Sequence, residues 1–138
     1  MVEIKDGEIK DTQLGVCDHG IFTFMITVYY SPYHQGFGGY AMDRREKDMG
    51  RRIGTAYGLD SVMQLLKAMG VRYWEELPGL KIKCHIDRGR IIAIEKESVF
   101  NLEEHAKMFS EENAELKPAQ SSDNIQPGDN ISRFADLE

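Results

Sequence analysis

The sequence predicts an α+β domain: an antiparallel sheet of about five strands in two hairpin-like units, one main helix packed on it, and a short C-terminal helix. Three observations carry this expectation. Residues 21–30, IFTFMITVYY, are β-branched and aromatic throughout, the composition of a strand. Residues 80–97 alternate apolar and polar about the turn signal DRG, as a hairpin does. Between them, residues 59–69 repeat apolar side chains at helical spacing. Strands in antiparallel pairs with segregated helices define the α+β class.

Each element has its own justification. EIKDTQLGVC (8–17) is mixed but strand-compatible, and DHG (18–20) is a turn in which Gly20 can take positive φ. These precede the strand 21–30 and make the first hairpin. That strand carries Phe22, Phe24, Ile26, Val28 and Tyr30 on one face and the mixed set Ile21, Thr23, Met25, Thr27 and Tyr29 on the other, so it reads as central. SPYHQ (31–35) reads as a loop in which Pro32 ends the ladder. GFGGYAMD (36–43) reads as a third strand weakened by glycine. RREKDMGRR (44–52) reads as a solvated loop. The helix has Asp60 or Ser61 as its cap, Leu59, Val62, Met63, Leu66 and Met69 as its apolar repeat, and Gly70 at its C-terminal stop.

RYWEELPG (72–79) suits a short helical turn stopped by Pro78-Gly79, with Trp74 as a core or interface anchor. LKIKCHI (80–86) points Leu80, Ile82, Cys84 and Ile86 one way, and RIIAIEKE (90–97) returns with Ile92 and Ile94 inward. NLEEHAKMF (101–109) is a short helix capped by Asn101. Residues 1–110 form one domain in this reading, and residues 111–138 form a polar, acidic, disordered tail.

Composition removes several function classes. The net charge is −6, but residues 109–138 hold seven acids against Lys117 and Arg133, so they carry −5 and residues 1–108 only −1. A nearly neutral domain lacks the broad basic surface that duplex DNA binding needs. No apolar run is long enough to span a membrane, and the charged N-terminus has no secretory h-region. Cys17 and Cys84 have no CxxC partner and read as reduced, buried thiols. No GxSxG, HExxH or other catalytic or metal-ligand frame occurs, so neither a catalytic group, a metal nor a cofactor is expected.

Two glycine-bearing stretches carry chemistry. In QGFGGYAMD (35–43), the glycines either bulge the strand or let a ligand approach the backbone, with Gln35, Gly36, Phe37, Gly38, Gly39 and Tyr40 as candidate contacts. RRIGTAYG (51–58) is either an ordinary loop-to-helix joint or an anion site, with Arg51, Arg52 and Thr55 at a helix N-terminus. DRGR (87–90) is either a hairpin tip or, through Arg88, a further guanidinium contact. Together these residues suit a small phosphate-containing nucleotide: aromatic faces for a base, and backbone N–H groups and arginines for phosphate. A non-enzymatic single-stranded nucleic-acid binder, or an inhibitor docking a host defence protein, is the alternative.

The segments DHGIFTF, QGFGGYAMD, RRIGTAYG and WEELPG, taken as a set, resemble a family of small phage and prophage proteins over residues 5–97. The resemblance extends to the phage counter-defence proteins that sequester cyclic ADP-ribose-type signals of the Thoeris system. It implies a non-enzymatic sponge in the cytoplasm of the host cell, assembled as a homo-oligomer, that holds a cyclic nucleotide without cleaving it.

Overall fold

The computed structural model describes residues 1–110. The predicted disordered tail lies outside the described residues. The fold is α+β, with more strand than the sequence suggested: a six-stranded sheet and a separate two-stranded one. The strands are β1 (Val2–Val16), β2 (Phe22–Tyr30), β3 (Tyr33–Gly38), β4 (Asp43–Glu46), β5 (Arg51–Gly54), β6 (Lys81–Asp87), β7 (Arg90–Glu95) and β8 (Val99–Asn101). Helix α1 is Ala56–Met69 and helix α2 is Leu102–Lys107. The large sheet runs β3-β2-β1-β6-β7-β8, and β4 pairs with β5. Every strand pair is antiparallel.

β1 explains how two predicted hairpins become one sheet. It is long enough for its first half to pair with β6 and its second half with β2. Lys10 is an extra residue between the pairs Ile9↔Val28 and Asp11↔Thr27, so β1 changes face parity there. Ile9 therefore faces the helices before the bulge, and Thr12, Leu14 and Val16 share that side after it. The predicted face of β2 is the buried one: Phe24, Ile26, Val28 and Tyr30 join Leu65, Met69, Ile82, Cys84, Ile86 and Ile94 in one core. A second bulge at Ile92 corrects the inward set of β7, because Ile86 pairs with Ile91, which is buried in place of Ile92.

Four expectations are corrected between residues 31 and 61. SPYHQ is not a loop beyond its first two residues: Pro32 makes the turn, and Tyr33 already pairs with Tyr30. The strand that begins there ends at Gly38 instead of Asp43. RREKDMGRR is not a solvated loop, since Arg44–Arg45–Glu46 pair with Ile53–Arg52–Arg51 in the β4–β5 hairpin. Helix α1 is capped five to six residues before the expected position, by Thr55, whose hydroxyl accepts from Gly58 N at 2.9 Å. Gly70 does end it, at φ 72°, with its N–H on Leu66 O and Lys67 O.

The sheet curls until β3 lies beside β7. Gln35 closes the gap with its side chain: Nε2 donates to Gly89 O at 2.6 Å and to Tyr30 Oη at 2.7 Å, and Oε1 accepts from Ile91 N at 3.1 Å. The amide thus pairs with residues 89 and 91 as a neighbouring strand's peptide would. Gln35→Ala is expected to cost about 1–2 kcal/mol, because it strands a backbone donor and a phenol. Gln35→Glu keeps the shape but sets a carboxylate against the Gly89 carbonyl, so it too should melt earlier. A Gln35→Glu midpoint equal to wild type in a thermal melt would show that shape alone closes the curl.

Candidate functional site

The structure brings the two glycine-bearing stretches together, but into direct contact and not around an opening. Met42 O accepts from Thr55 N at 3.1 Å and from Thr55 Oγ1 at 3.0 Å. A Cβ at Gly58 would overlap Met42 Cβ and O. Arg52 grips Asp43 with both forks of its guanidinium, Nε to Oδ2 at 2.8 Å and Nη2 to Oδ1 at 2.9 Å, and Asp43 Oδ1 also accepts from Phe22 N. Arg52 and Thr55 therefore hold the small hairpin and α1 onto β2.

Phe37 is buried edge-on to Phe100, and Tyr40 is packed against the same core, so neither presents an open stacking face. Gly38, at φ 121°, would place a Cβ 2.6 Å from Phe24 O, and Gly39 N donates to that oxygen at 2.7 Å. These two glycines carry the bend by which the chain leaves the sheet for β4. Arg51 is exposed, its Nη1 donating to Arg52 O. Arg88 is exposed at the β6–β7 tip with φ 55°, followed by Gly89 at φ 80°. Such a pair of positive φ values makes a type I′ turn, where asparagine or glycine is the usual first residue and arginine is strained. Gly89's contact with Gln35 sets this turn beside the start of β3.

The opening lies on the other side of the sheet, away from α1. A trough of about 320 Å³ crosses β1, β2 and β3, lined by Asp11, Gln13, Met25, Thr27, His34 and Gly36 among others. Its depth has a simple origin. At the trough the outward positions of β3 are 34 and 36, and the second is glycine. Gly36 lies across from Thr27, so no β3 side chain covers that position. Asp11 and Gln13 reach this side because the Lys10 bulge turns them to it. The His34 ring rests 4.7 Å from that of Tyr29 at the trough's end. Of the sequence candidates, Gln35 and Gly36 line this trough. Asp11, Gln13, Thr27 and His34 were missed: the Lys10 bulge alone turns Asp11 and Gln13 to this side, Thr27 joins them by register, and His34 lay in the segment read as a loop.

Two other clusters offer less. A shallower basin of about 480 Å³ touches Asp6, Lys81, Lys83, Glu95 and Lys96. Lys83 is hydrogen-bonded to Asp6 at 2.7 Å, which lowers that carboxyl and raises the amine, and Lys81 bonds Glu8 at 3.1 Å. Ser61, His105 and Asp60 are the residue types of a hydrolase triad: Ser61 Oγ is 3.2 Å from His105 Nδ1, and His105 Nε2 is 2.8 Å from Asp60 Oδ2. Ser61 is only 1% exposed, and its Oγ is 2.8 Å from Tyr57 O, its helical acceptor. The trio joins α2 to α1, with Ser61 and His105 buried and Asp60 at the edge, so the hydroxyl is closed to a substrate in this structure. No family model matches this chain, and neither a curated protein nor a solved structure is found to be similar to it.

Proposed function

We propose that this chain binds a small nucleotide-type ligand on the open face of its sheet and holds it unchanged. That is the sequestering, counter-defence role implied by the resemblance to phage signal sponges, and a cyclic ADP-ribose-type signal is the first ligand to test. The observation that carries the reading is the trough that Gly36 leaves open beside Thr27 and Met25. Its volume is at the low end of small-molecule sites, large enough for a nucleoside portion but not for a whole dinucleotide.

The lining chemistry suits a base and sugar better than a phosphate. Asp11 and Gln13 offer acceptors for an exocyclic amine or ribose hydroxyls, Thr27 offers a hydroxyl, and the Met25 thioether offers a soft apolar contact for a ring. Arg88, exposed on the turn whose Gly89 carbonyl accepts from Gln35, is a cation available to a phosphate group that extends beyond the trough. Arg52 is withdrawn from this role by Asp43.

The test is to incubate the protein with a nucleotide-signal mixture, wash it, heat it, and identify what is released by mass. Release of an intact cyclic nucleotide supports the proposal. Release of a converted product, or retention only of single-stranded oligonucleotides with a steep salt slope, overturns it. Gly36→Val locates the site. Gly36 is not among the positive-φ glycines and faces outward, so valine suits the strand while filling the trough. Titration calorimetry should show affinity lowered at least about tenfold, the effect of losing one good contact, with the melting midpoint within a few degrees of wild type.

A further inference from the structure

The β4–β5 hairpin is a basic surface on a nearly neutral domain. Residues 43–54 hold Arg44, Arg45, Lys47, Arg51 and Arg52 against Asp43, Glu46 and Asp48, five cations to three acids and a net charge of +2. Two of the cations are engaged within the hairpin: Arg52 on Asp43, and Arg44 on Glu46 at 2.6 Å. Arg45, Lys47 and Arg51 are exposed and have no carboxylate partner among the described residues. Arg51 stands across from Glu46, but that carboxylate is turned to Arg44 and to Asp48 N. Arg45 stands directly across from Arg52, a like-charge pair of the kind that weakens a ladder. A two-stranded hairpin is marginal by itself, so this repulsion calls for a counter-anion.

We infer that the chain supplies it: the acidic segment after Ser110 lies back along the hairpin, with Glu111, Glu112 and Glu115 facing Arg45, Lys47 and Arg51. Position and charge both point there. Phe109 packs edge-on against Tyr57, ring centroids 5.9 Å apart, and beside His105 at 5.3 Å. Tyr57 is three residues past the end of β5, so the chain leaves the described domain at the foot of the hairpin. Six residues separate Phe109 from Glu115 and six separate Tyr57 from Arg51, each at most about 20 Å of extended chain. The three acids can therefore come level with the arginines. Lys81 and Lys83, on the large sheet, already hold Glu8 and Asp6 and compete less well for them. Exposed ion pairs are individually weak. Here several form within one chain, where a short tether replaces affinity with effective concentration. An external anion then meets the hairpin only by displacing the segment.

The test is zero-length carbodiimide coupling of the dilute full chain, which joins an amine to a carboxylate in contact, followed by digestion and mass mapping of the monomer. In about 10 mM salt, where the screening length is about 30 Å, Lys47 should link to Glu111, Glu112 or Glu115 well above Lys67 and Lys96. An excess of about fivefold is expected from a few exposed pairs acting together. Lys67 and Lys96 are also exposed but lie outside the hairpin. Lys107 is left out of the comparison, being four residues from Glu111 in sequence. The excess should vanish in about 1 M salt, where the screening length is about 3 Å. It should vanish also in Arg45→Ser/Arg51→Ser, whose melting midpoint should stay within a few degrees of wild type because both side chains are exposed. Lys47 linked no more often than Lys67 and Lys96 overturns the inference. So does a Lys47 link found only between two chains, which would belong to a second copy. An excess that survives either the salt or the double variant overturns it too, since charge would not be what holds the segment.

Discussion

Arg52→Ala should lower the thermal midpoint by roughly 8–15 °C, the shift expected for a loss of about 2–3 kcal/mol in a domain of this size. In the sequence Arg52 reads as part of a solvated loop, where removing an arginine costs little. In the structure, the Arg52 side chain is 22% exposed and the Asp43 carboxylate it grips only 9%. Removing the guanidinium leaves a buried charge whose remaining side-chain partner is the Phe22 amide. The figure sits below the full cost of breaking a buried pair because Arg52 is partly solvated. The double variant Asp43→Asn/Arg52→Ala separates charge from packing. Asparagine keeps an acceptor for Phe22 N and carries no charge, so the double variant should melt above Arg52→Ala alone. If both variants melt within a degree or two of wild type, the pair is not what fastens the β4–β5 hairpin to β2.

The fold was legible where period and burial agree. The faces of β2 and β6 follow strict alternation, and Gly70 and Asn101 stand at the helix ends their side chains favour. Legibility failed where one residue changes the count. Lys10 and Ile92 are single insertions that turn every later side chain of their strand to the other face, and nothing in their own chemistry announces it. It failed on α1 for a different reason. An arc apolar over two thirds of the helix contains more than one stripe of correct spacing, and local pattern does not choose between them. The candidate site failed through both causes together. Gly36 was named, but its strand partner Thr27, and the Asp11 and Gln13 brought in by the bulge, depend on register. Arg51 and Arg52 were named for their charge, which two adjacent arginines show equally, although the structure engages only Arg52 with Asp43.

Gly58→Ala should destabilise the protein by about 1–2 kcal/mol, against what helix propensity alone would say. Gly58 lies in the first turn of α1, where alanine is worth about 1 kcal/mol of added helix stability in the absence of neighbours. Here the new methyl would fall on the Met42 carbonyl and Cβ. The obstacle is largely backbone, held in place by the Thr55 bonds to the same carbonyl, so it cannot swing aside as a side chain would. Relief requires α1 to rise from the 39–42 segment, which opens the core at Tyr57 and Leu65. Overpacking costs of about 1–3 kcal/mol, occasionally more, apply with the larger values expected against backbone, so sterics exceed propensity. Gly38→Ala meets two obstacles at once, a left-handed φ and the Phe24 carbonyl 2.6 Å away. Gly36→Ala meets no left-handed φ and should be tolerated. Chemical denaturation of the three alanine variants therefore should rank Gly36 as mild and Gly38 and Gly58 as severe. A Gly58→Ala protein as stable as wild type would mean that α1 does not sit this close to Met42. A loss at Gly36 equal to that at Gly38 would mean that β3 needs glycine at both positions, and the trough at Gly36 would lose its motive.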